Sequence, residues 1–352
     1  MRLLIAYGSK GKFFHMTEFV ESLTKHGIEC KLVKDTDYVR GFPSRNIKDW
    51  FAGDRKFRKL IKEFTPDAVF TDRQTNFGAS VINSKIPLFI LLRGHYWSEV
   101  HYAKQTKYKD PLSRLVIWFR YRIAEKCFAN ATVILPICTY LERTVREHHP
   151  GVSTGVFFEG INASHWYQAN GMNLEHPCVG ILQDANWWGK TKEMLILESV
   201  LEKMPNVNFY WAGDGIYREE IISKLGKYRN FHWLGRIQYP DKVREYLSEI
   251  DIYALITGMD TAPLTLKEAQ LMEKPVIATD VGGVYEMMQD RKTGFLVKES
   301  DSDSLIEKIN ILINNKKLCV DMGKEGRKFI ESTFNWDRIT FRFIEILNKH
   351  LK

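Results

Sequence analysis

Two acidic side chains in the second half of the chain have a setting that suits a negatively charged ligand. A strand pattern ends at Thr257, and Asp260 and Thr261 are residue types that cap the start of a helix. Pro263 fits a first helical turn, and Glu268 falls one to two turns inside the helix. A helix start offers unpaired N–H groups and a positive dipole end, which suit a diphosphate. A plain cap and a solvated glutamate are the alternative explanations of Asp260 and Glu268.

Two glycine turns follow other strand patterns of the second half. Gly213, Asp214 and Gly215 follow one strand, and Gly282 and Gly283 follow another. Glycine lets a backbone approach a ligand closely, because it has no side chain. We therefore expect both turns beside the same ligand, although tight-turn chemistry alone also explains the Gly-Asp-Gly sequence.

Lysines follow the first strand of the second half. Lys190 and Lys192 both lie where a helix begins, and Lys190 lies closer to the preceding turn. A cation at this place balances the negative charge that develops on a diphosphate leaving group. The alternative is that either lysine is an ordinary surface residue.

The first half has a smaller set of candidate residues. Gly8 and Gly11 lie in the loop predicted after the first strand, and Arg93 and His95 follow a later strand. A histidine in a loop at the carboxyl end of a strand is a better site candidate than a core histidine. Ordinary strand-to-helix turns are the alternative here.

The elements that must position these residues alternate between strand and helix. Short apolar runs and helical patterns follow each other twice along the chain, which predicts an α/β protein with two Rossmann-like parallel-sheet domains. The join lies near 158–174, so we predict two domains, 1–165 and 166–335, followed by a last helix at 336–352. Ligands of such sheets bind outside the carboxyl ends of the strands, in a cleft that the domains face.

The second half resembles the family 4 glycosyltransferases, which are retaining enzymes of GT-B fold. The resemblance rests on Asp260 and Glu268 with seven residues between them, on TDVGG at 279–283 and on TGFLV at 293–297. Weaker matches are GDG at 213–215, WLGR at 233–236 and FNWD at 334–337. In the family, the last of these precedes a helix that crosses back onto the first domain, so the resemblance implies that the helix at 336–352 joins domain 1–165. The chain departs from the family pattern with an aspartate at 260, a proline at 263 and an isoleucine at 181, where the family has glutamate, glycine and arginine.

The resemblance implies roles for these residues. Glu268 is expected to bind the ribose of a nucleotide-sugar donor, and Asp260 and His95 are expected to face the donor sugar. Leu264 and Thr265 at the helix start join the donor site, together with Lys190 and Lys192. The donor is expected to be a UDP- or GDP-sugar. Arg93 and the Gly8–Gly11 loop fall on the acceptor side.

Composition limits the remaining classes. The chain has 352 residues, a formal charge of +8 and no apolar run of the ~20 residues that span a membrane. Five widely spaced cysteines without a C-x-x-C pair predict neither a zinc site nor disulfides, and so a reduced, cytoplasmic protein. A helix start and a nearby lysine would replace the metal ion that other transferases place beside the diphosphate, so we expect a metal-independent reaction without a cofactor.

Basic and aromatic residues concentrate in two segments of the first half, 45–64 and 104–126. In a helix from Leu112, we expect a core-facing stripe, with Trp118 and Tyr121 on the opposite side beside Arg114. The expected stripe comprises Leu112, Leu115, Val116, Phe119 and Ile123. Exposed aromatics with cations suit an anionic membrane face and a lipid-linked acceptor, whereas a solvated face is the alternative. No nucleic-acid recognition module is visible.

The function expected from the sequence is retaining, metal-independent transfer of a sugar from a nucleotide-sugar to an acceptor. Two alternatives remain at this stage. One is an epimerase or phosphorylase on the same fold, since fold does not fix function. The other is a non-catalytic subunit that binds a membrane or another transferase.

Overall fold

A computed structural model describes residues 1–8, 10–44, 46–106 and 108–351, without the side chains of 10–12, 105 and 106. The chain divides into two compact units. Unit 1 comprises Met1–Ile161 and Trp336–Lys352, and unit 2 comprises Asn162–Asn335. The division falls between Ile161 and Asn162, whereas the sequence pattern suggested 165 and 166.

Unit 1 is built on a five-stranded parallel sheet in the order β2-β1-β3-β4-β5. All five residues of β4 and all four of β3 and β5 are buried, as expected where helices cover both faces of a sheet. The strands are β1 Arg2–Tyr7, β2 Glu29–Lys34, β3 Ala68–Thr71, β4 Leu88–Leu92 and β5 Val133–Pro136. The helices are α1 Lys10–Lys25, α2 Asp35–Tyr38, α3 Ile47–Trp50, α4 Arg55–Phe64, α5 Asn76–Asn83, α6 Tyr96–Thr106, α7 Pro111–Ala129 and α8 Thr139–His148.

Unit 2 is built on a six-stranded parallel sheet in the order β11-β10-β9-β6-β7-β8. Its strands are β6 Cys178–Leu182, β7 Asn208–Ala212, β8 Phe231–Gly235, β9 Ile252–Leu255, β10 Val276–Thr279 and β11 Gly294–Val297. Its helices are α9 Trp188–Thr191, α10 Leu197–Lys203, α11 Arg218–Leu225, α12 Asp241–Glu249, α13 Leu264–Leu271, α14 Ser302–Ile313 and α15 Lys316–Thr333. Short 3₁₀ turns cover Ala163–His165, Lys192–Ile196 and Val284–Met287.

The last helix, α16 Trp336–His350, belongs to unit 1. Phe343 packs against Phe19, Phe70 and Phe157 with ring centroids 5.3–5.6 Å apart. The indole Nε1 of Trp336 donates a hydrogen bond of 2.9 Å to Glu18 Oε2. An amphipathic helix that ends the chain therefore completes the core of the unit in which the chain began.

The expected orientation of α7 is wrong in its first two turns. Leu112 is 78% exposed and Leu115 is 49% exposed, although both were assigned to the core-facing stripe. The buried residues of α7 are Ile117, Ala124, Cys127 and Phe128. A periodic pattern gives the width of an apolar face but not which part of it has a packing partner. Within the described ranges, every helix is too short or too polar to span a lipid bilayer.

Candidate functional site

The candidate site lies at the carboxyl ends of the unit 2 strands. The chain passes from β6 outward to β7 and β8, and then returns to form β9 on the other side of β6. The loops after β6 and β9 therefore leave the sheet in different directions. Such a reversal of strand order opens the crevice in which parallel sheets bind ligands.

An ion pair joins these two loops. Lys190 Nζ lies 2.6 Å from Asp260 Oδ2, with side-chain exposures of 35% and 9%. The backbone adds a second link, because the N–H of Gly258 donates to the carbonyl of Lys190 at 3.1 Å. Sequence reasoning assigned separate roles to Lys190 and Asp260, and the structure brings their charged groups into contact.

The aspartate is also tied to the glycine turn after β10. Asp260 Oδ1 accepts a hydrogen bond of 2.8 Å from the N–H of Thr261, and the carbonyl of Asp260 accepts one of 3.1 Å from Gly283. Gly282 has a φ of +57°, in the left-handed region that favours glycine. The turn at 280–283 therefore holds Asp260 in place, whereas the sequence predicted this turn only as a point where the backbone approaches a ligand.

The start of α13 differs from the prediction. The helix begins at Leu264, and Pro263 precedes it with an extended backbone, so neither Asp260 nor Thr261 is its N-cap and Pro263 is not in its first turn. Asp260 Oδ1 instead accepts from the adjacent N–H of Thr261. Because proline has no side-chain acceptor, its side chain forms no cap hydrogen bond. The first N–H groups of α13, including those of Leu264 and Thr265, are thus suited to an anion.

Glu268 is buried in this helix rather than solvated. Only 2% of its surface is exposed, which excludes an ordinary surface glutamate. The neighbouring Tyr253 donates a hydrogen bond of 2.7 Å to Thr265 Oγ1. Burial raises the pKa of Tyr253, and the charges of Glu268 and Asp260 act in the same direction. Two carboxylates and the start of α13 therefore share one buried neighbourhood.

The Gly-Asp-Gly turn after β7 packs against the loop after β6. A Cβ on Gly213 would lie 2.0 Å from the carbonyl oxygen of Gln183, and a Cβ on Gly215 would lie 2.3 Å from the carbonyl carbon of Ala185. Asp214 Oδ1 accepts a hydrogen bond of 2.7 Å from the N–H of Gly215. Backbone packing therefore requires both glycines, which is the alternative explanation that the sequence left open.

The second lysine has a different charged partner. Lys192 Nζ lies 3.5 Å from Glu299 Oε1, and the side chains are 46% and 42% exposed. Sequence reasoning also missed Gln183, whose Nε2 donates a hydrogen bond of 2.9 Å to the carbonyl of Ile256 and so joins the ends of β6 and β9. A polar residue directly after a buried strand was the available signal for Gln183.

In unit 1, Arg93 is already paired with buried carboxylates. Its guanidinium lies 2.7 Å from Glu159 and 3.2 Å from Asp72, and its side chain is 15% exposed. Burial raises the pKa of Asp72, whereas the charge of Arg93 acts against that rise. Sequence reasoning missed Asp72, which follows β3 directly, and assigned Glu159 no role as a partner of Arg93.

The first loop of unit 1 is shorter than predicted. Gly11 lies in the first turn of α1 instead of a loop, and Ser9 lies outside the described residues. A Cβ on Gly8 would lie 1.9 Å from Arg73 Nε, and Arg73 pairs with Asp35 at 3.0 Å. The glycine at position 8 therefore makes room for a protein side chain.

His95 is half-buried just before α6. Its Nδ1 accepts a hydrogen bond of 3.3 Å from the N–H of Ser98 in the first turn of α6, so this side chain caps the helix. Burial lowers the pKa of His95. A role toward a donor sugar stays a prediction for this residue.

The residues expected at a membrane only partly share one surface. Arg114 and Trp118 are exposed, whereas Tyr121 is half-buried and stacks on Tyr96 with centroids 6.2 Å apart. An open cavity of about 680 Å³ lies beside α7. Four basic or titratable side chains and one indole line it: His101, Lys104, Lys109, Arg114 and Trp118.

Comparison with known families gives this geometry a context. Residues 194–329 match the model of glycosyl transferases group 1. The matched segment contains Asp260, Glu268, both glycine turns and α13. It begins after Lys190 and excludes unit 1.

Two curated relatives each match less than half of this chain. Trehalose synthase of Thermococcus litoralis is 29% identical over 172 residues, which are 46% of this chain and 41% of the relative. Sulfoquinovosyl transferase SQD2 of Arabidopsis thaliana is 28% identical over 155 residues, which are 43% of this chain and 30% of that protein. The chain thus spans less than half the length of these relatives.

Solved structures match the whole chain. Sucrose-phosphate synthase from Thermosynechococcus elongatus has a TM-score of 0.75 at 14% identity, covering 99% of this chain and 98% of that one. HepE of Anabaena, in complex with UDP, has a TM-score of 0.70 at 16% identity, covering 99% and 100%. The predicted fold class, α/β with two Rossmann-like sheets of GT-B type, is confirmed.

Proposed function

We propose that the chain is a metal-independent glycosyltransferase that uses a UDP- or GDP-sugar. The observation that carries this proposal is the pairing of Lys190 with the buried Asp260 beside the start of α13. Relatives of the chain are named as a sulfoquinovosyl transferase and a putative glycosyltransferase, and the structurally similar HepE is described in complex with UDP. A nucleotide-sugar therefore suits this site better than other anions.

The donor diphosphate would bind where backbone amides and a cation are available together. The first turn of α13 supplies N–H groups, and Lys190, whose side chain is 35% exposed, supplies a positive charge. Negative charge grows on the diphosphate as the sugar leaves. Donors that are already in place stabilise that charge without reorganisation, which is the work that a metal ion does in other transferases.

The two acidic residues would then hold the rest of the donor. A carboxylate accepts hydrogen bonds from two neighbouring hydroxyls, so Glu268 suits a ribose. Asp260 would face the sugar and stabilise positive charge at the reacting carbon. Retention of configuration belongs to the proposal through the family 4 resemblance, with the donor phosphate accepting the proton of an acceptor that attacks from the same face.

A donor screen tests the proposal directly. UDP- and GDP-sugars are added to the full chain, and melting temperature is recorded, because a ligand that binds the folded state raises it. We expect one nucleotide class to stabilise the wild type and the Lys192→Met control, but not Lys190→Met. Stabilisation of all three proteins alike, or of none, would overturn the site assignment.

Product analysis with a labelled donor separates the alternatives. Transfer of label to an acceptor with an unchanged anomeric configuration is the expected outcome. Conversion of the donor to another sugar nucleotide would indicate an epimerase. Donor binding without turnover in the presence of an acceptor extract would indicate a non-catalytic subunit.

We further propose that unit 1 docks on an anionic membrane that carries the acceptor. Leu112, Leu115 and Trp118 expose 78%, 49% and 48% of their surfaces along one side of α7. The basic cavity beside them is lined by Lys104, Lys109 and Arg114. Apolar side chains that enter the interface and cations that attract anionic headgroups form a membrane-binding surface together.

Vesicle partition tests this docking surface. We expect binding to phosphatidylserine vesicles at low salt and weak binding to phosphatidylcholine vesicles. The double variant Leu112→Gln/Leu115→Gln should lose binding, and the control Ile216→Gln should retain it, because Ile216 is 68% exposed but lies in unit 2. Equal partition onto both vesicle types would count against an anionic membrane partner.

A further inference from the structure

A second cluster of reactive side chains lies at the other end of the unit 2 sheet, away from the donor loops. His176, Cys178 and Asp251 each present a ligand atom, and these atoms lie within 4.8 Å of one another. Cys178 Sγ is 3.7 Å from His176 Nδ1, which is 2.8 Å from Asp251 Oδ2. Neither the proposed transfer reaction nor the resemblance assigns a role to this cluster.

The strand ladder fixes these groups in place. Cys178 is the first residue of β6 and Asp251 directly precedes β9, and the two strands pair with Val179 opposite Ile252. The N–H of Cys178 donates a hydrogen bond of 2.8 Å to Asp251 Oδ2. Two of the three groups therefore sit on neighbouring strand ends, and the histidine lies two residues before the strand.

We propose that His176, Cys178 and Asp251 bind one thiophilic divalent cation of the Zn²⁺ class. Thiolate, imidazole and carboxylate are the three ligand types that Zn²⁺ takes in proteins. Bonds of 2.0–2.3 Å in a tetrahedron separate neighbouring ligand atoms by roughly 3.3–3.7 Å. The sulfur-to-nitrogen distance fits already, and the nitrogen-to-oxygen distance must lengthen by about 0.5 Å when a cation replaces the shared proton. A water molecule completes the four-coordinate shell.

The histidine is oriented in the manner of a metal ligand. Its second ring nitrogen, Nε2, lies 3.0 Å from Glu249 Oε1 on the last turn of α12. Ligating histidines usually donate their other N–H to a carboxylate, which fixes the ring and raises its basicity. Glu249 is therefore a positioning residue, and it holds Nδ1 toward Cys178 and Asp251.

Cobalt binding tests the site in the full-length chain. One equivalent of Co²⁺ should give a thiolate-to-cobalt charge-transfer band, and Zn²⁺ should displace the cobalt. Cys178→Ser should abolish the band. The control Cys30→Ser should retain it, because Cys30 is a free cysteine of unit 1, whereas the proposed site lies in unit 2. Glu249→Gln should weaken cobalt affinity by about 10- to 100-fold without removing the band.

Two further variants keep the test independent of core packing. Cys178 is buried, so its replacement could disturb the fold, but the side chains of His176 and Asp251 are 44% and 43% exposed. His176→Ala and Asp251→Asn should each weaken Co²⁺ binding at least tenfold while the melting temperature without metal changes little. No charge-transfer band in the wild type, or a band that survives Cys178→Ser, would refute the site. Neither result depends on donor binding.

Discussion

Replacing Lys190 by methionine tests two effects of its charge. One is the stabilisation of the folded chain through Asp260, and the other is the stabilisation of the diphosphate during sugar transfer. The stem length is preserved, but Asp260, whose side chain is only 9% exposed, loses the cation 2.6 Å away and keeps the N–H of Thr261 on its other oxygen. A fully exposed ion pair contributes about 0.2–1 kcal/mol, and loss of a partner from a fully buried pair costs about 3–5 kcal/mol. Because Lys190 is 35% exposed, solvent screens part of the loss, and we expect about 2 kcal/mol.

A double-mutant cycle with Asp260→Asn measures this coupling. Urea unfolding of both single variants and of the double variant should give an interaction energy of about 1–2 kcal/mol, because the neutral amide that replaces the carboxylate no longer needs a cation. The transfer assay should behave differently. Lys190→Met should lower turnover by about 10²-fold or more, and the double variant should not recover it, because the diphosphate still lacks its cation and the sugar has also lost the carboxylate of Asp260.

Recovery of both stability and turnover in the double variant would refute this reasoning. Lys190 would then act only by neutralising Asp260, and the diphosphate would need another cation. The matched control is Lys192→Met. Its partner Glu299 lies 3.5 Å away and is 42% exposed, so removing the charge of Lys192 should change neither the free energy of unfolding nor turnover by much.

Three other changes test the site and its scaffold. Glu268→Gln should weaken nucleotide-sugar binding by about tenfold, since an amide accepts fewer hydrogen bonds from a ribose, and calorimetry that finds unchanged affinity would contradict that role. Gly213→Ala should destabilise unit 2 by more than about 2 kcal/mol in urea unfolding, because its Cβ would meet the carbonyl of Gln183 at 2.0 Å; a neutral result would mean that the loop after β6 shifts freely. Glu193 is buried in the 3₁₀ turn Lys192–Ile196 and accepts a hydrogen bond of 2.6 Å from the N–H of Ser300. Burial raises the pKa of Glu193, so its protonated form is favoured in the folded state, and its contribution to stability is lost as pH rises through that raised pKa. The free energy of unfolding of Glu193→Gln minus that of the wild type should therefore increase between pH 4 and pH 8, and Glu198→Gln, at a carboxyl whose pKa Lys227 lowers, should not show this rise.

The alternation of strands and helices was predictable because buried parallel strands are continuous apolar runs. β3, β4, β5 and β6 are buried along their whole length, and each stood out in the sequence. The helical pattern over 191–203 predicts a single helix, and this prediction is less accurate. The structure divides the stretch into the end of α9, a 3₁₀ turn and α10, because the hydrogen-bonding geometry changes while the apolar pattern continues.

The phase of α7 and the cap of α13 were not predictable for different reasons. Leu112 has the periodicity of a core residue, but the side of α7 on which it lies has no covering element in the described part of unit 1. At α13, Asp260 is a good capping residue by type, yet its carboxylate is taken by Lys190 and by the N–H of Thr261. Composition limits what a side chain can do, and competition among partners decides what it does.

Sheet topology explains which site residues could be predicted. Asp260, Glu268 and Lys190 follow strand ends of one parallel sheet, and topology alone brings such ends to one edge. The pairing of Lys190 with Asp260 could be seen only in the folded chain. Topology places these two residues, 70 positions apart, at the same edge of the sheet, but it does not give the distance between their charged groups. The cluster of His176 and Asp251 lay outside the prediction for a related reason. A search for closely spaced cysteines looks along the sequence, whereas these ligands meet across two neighbouring strands at the opposite edge of that sheet.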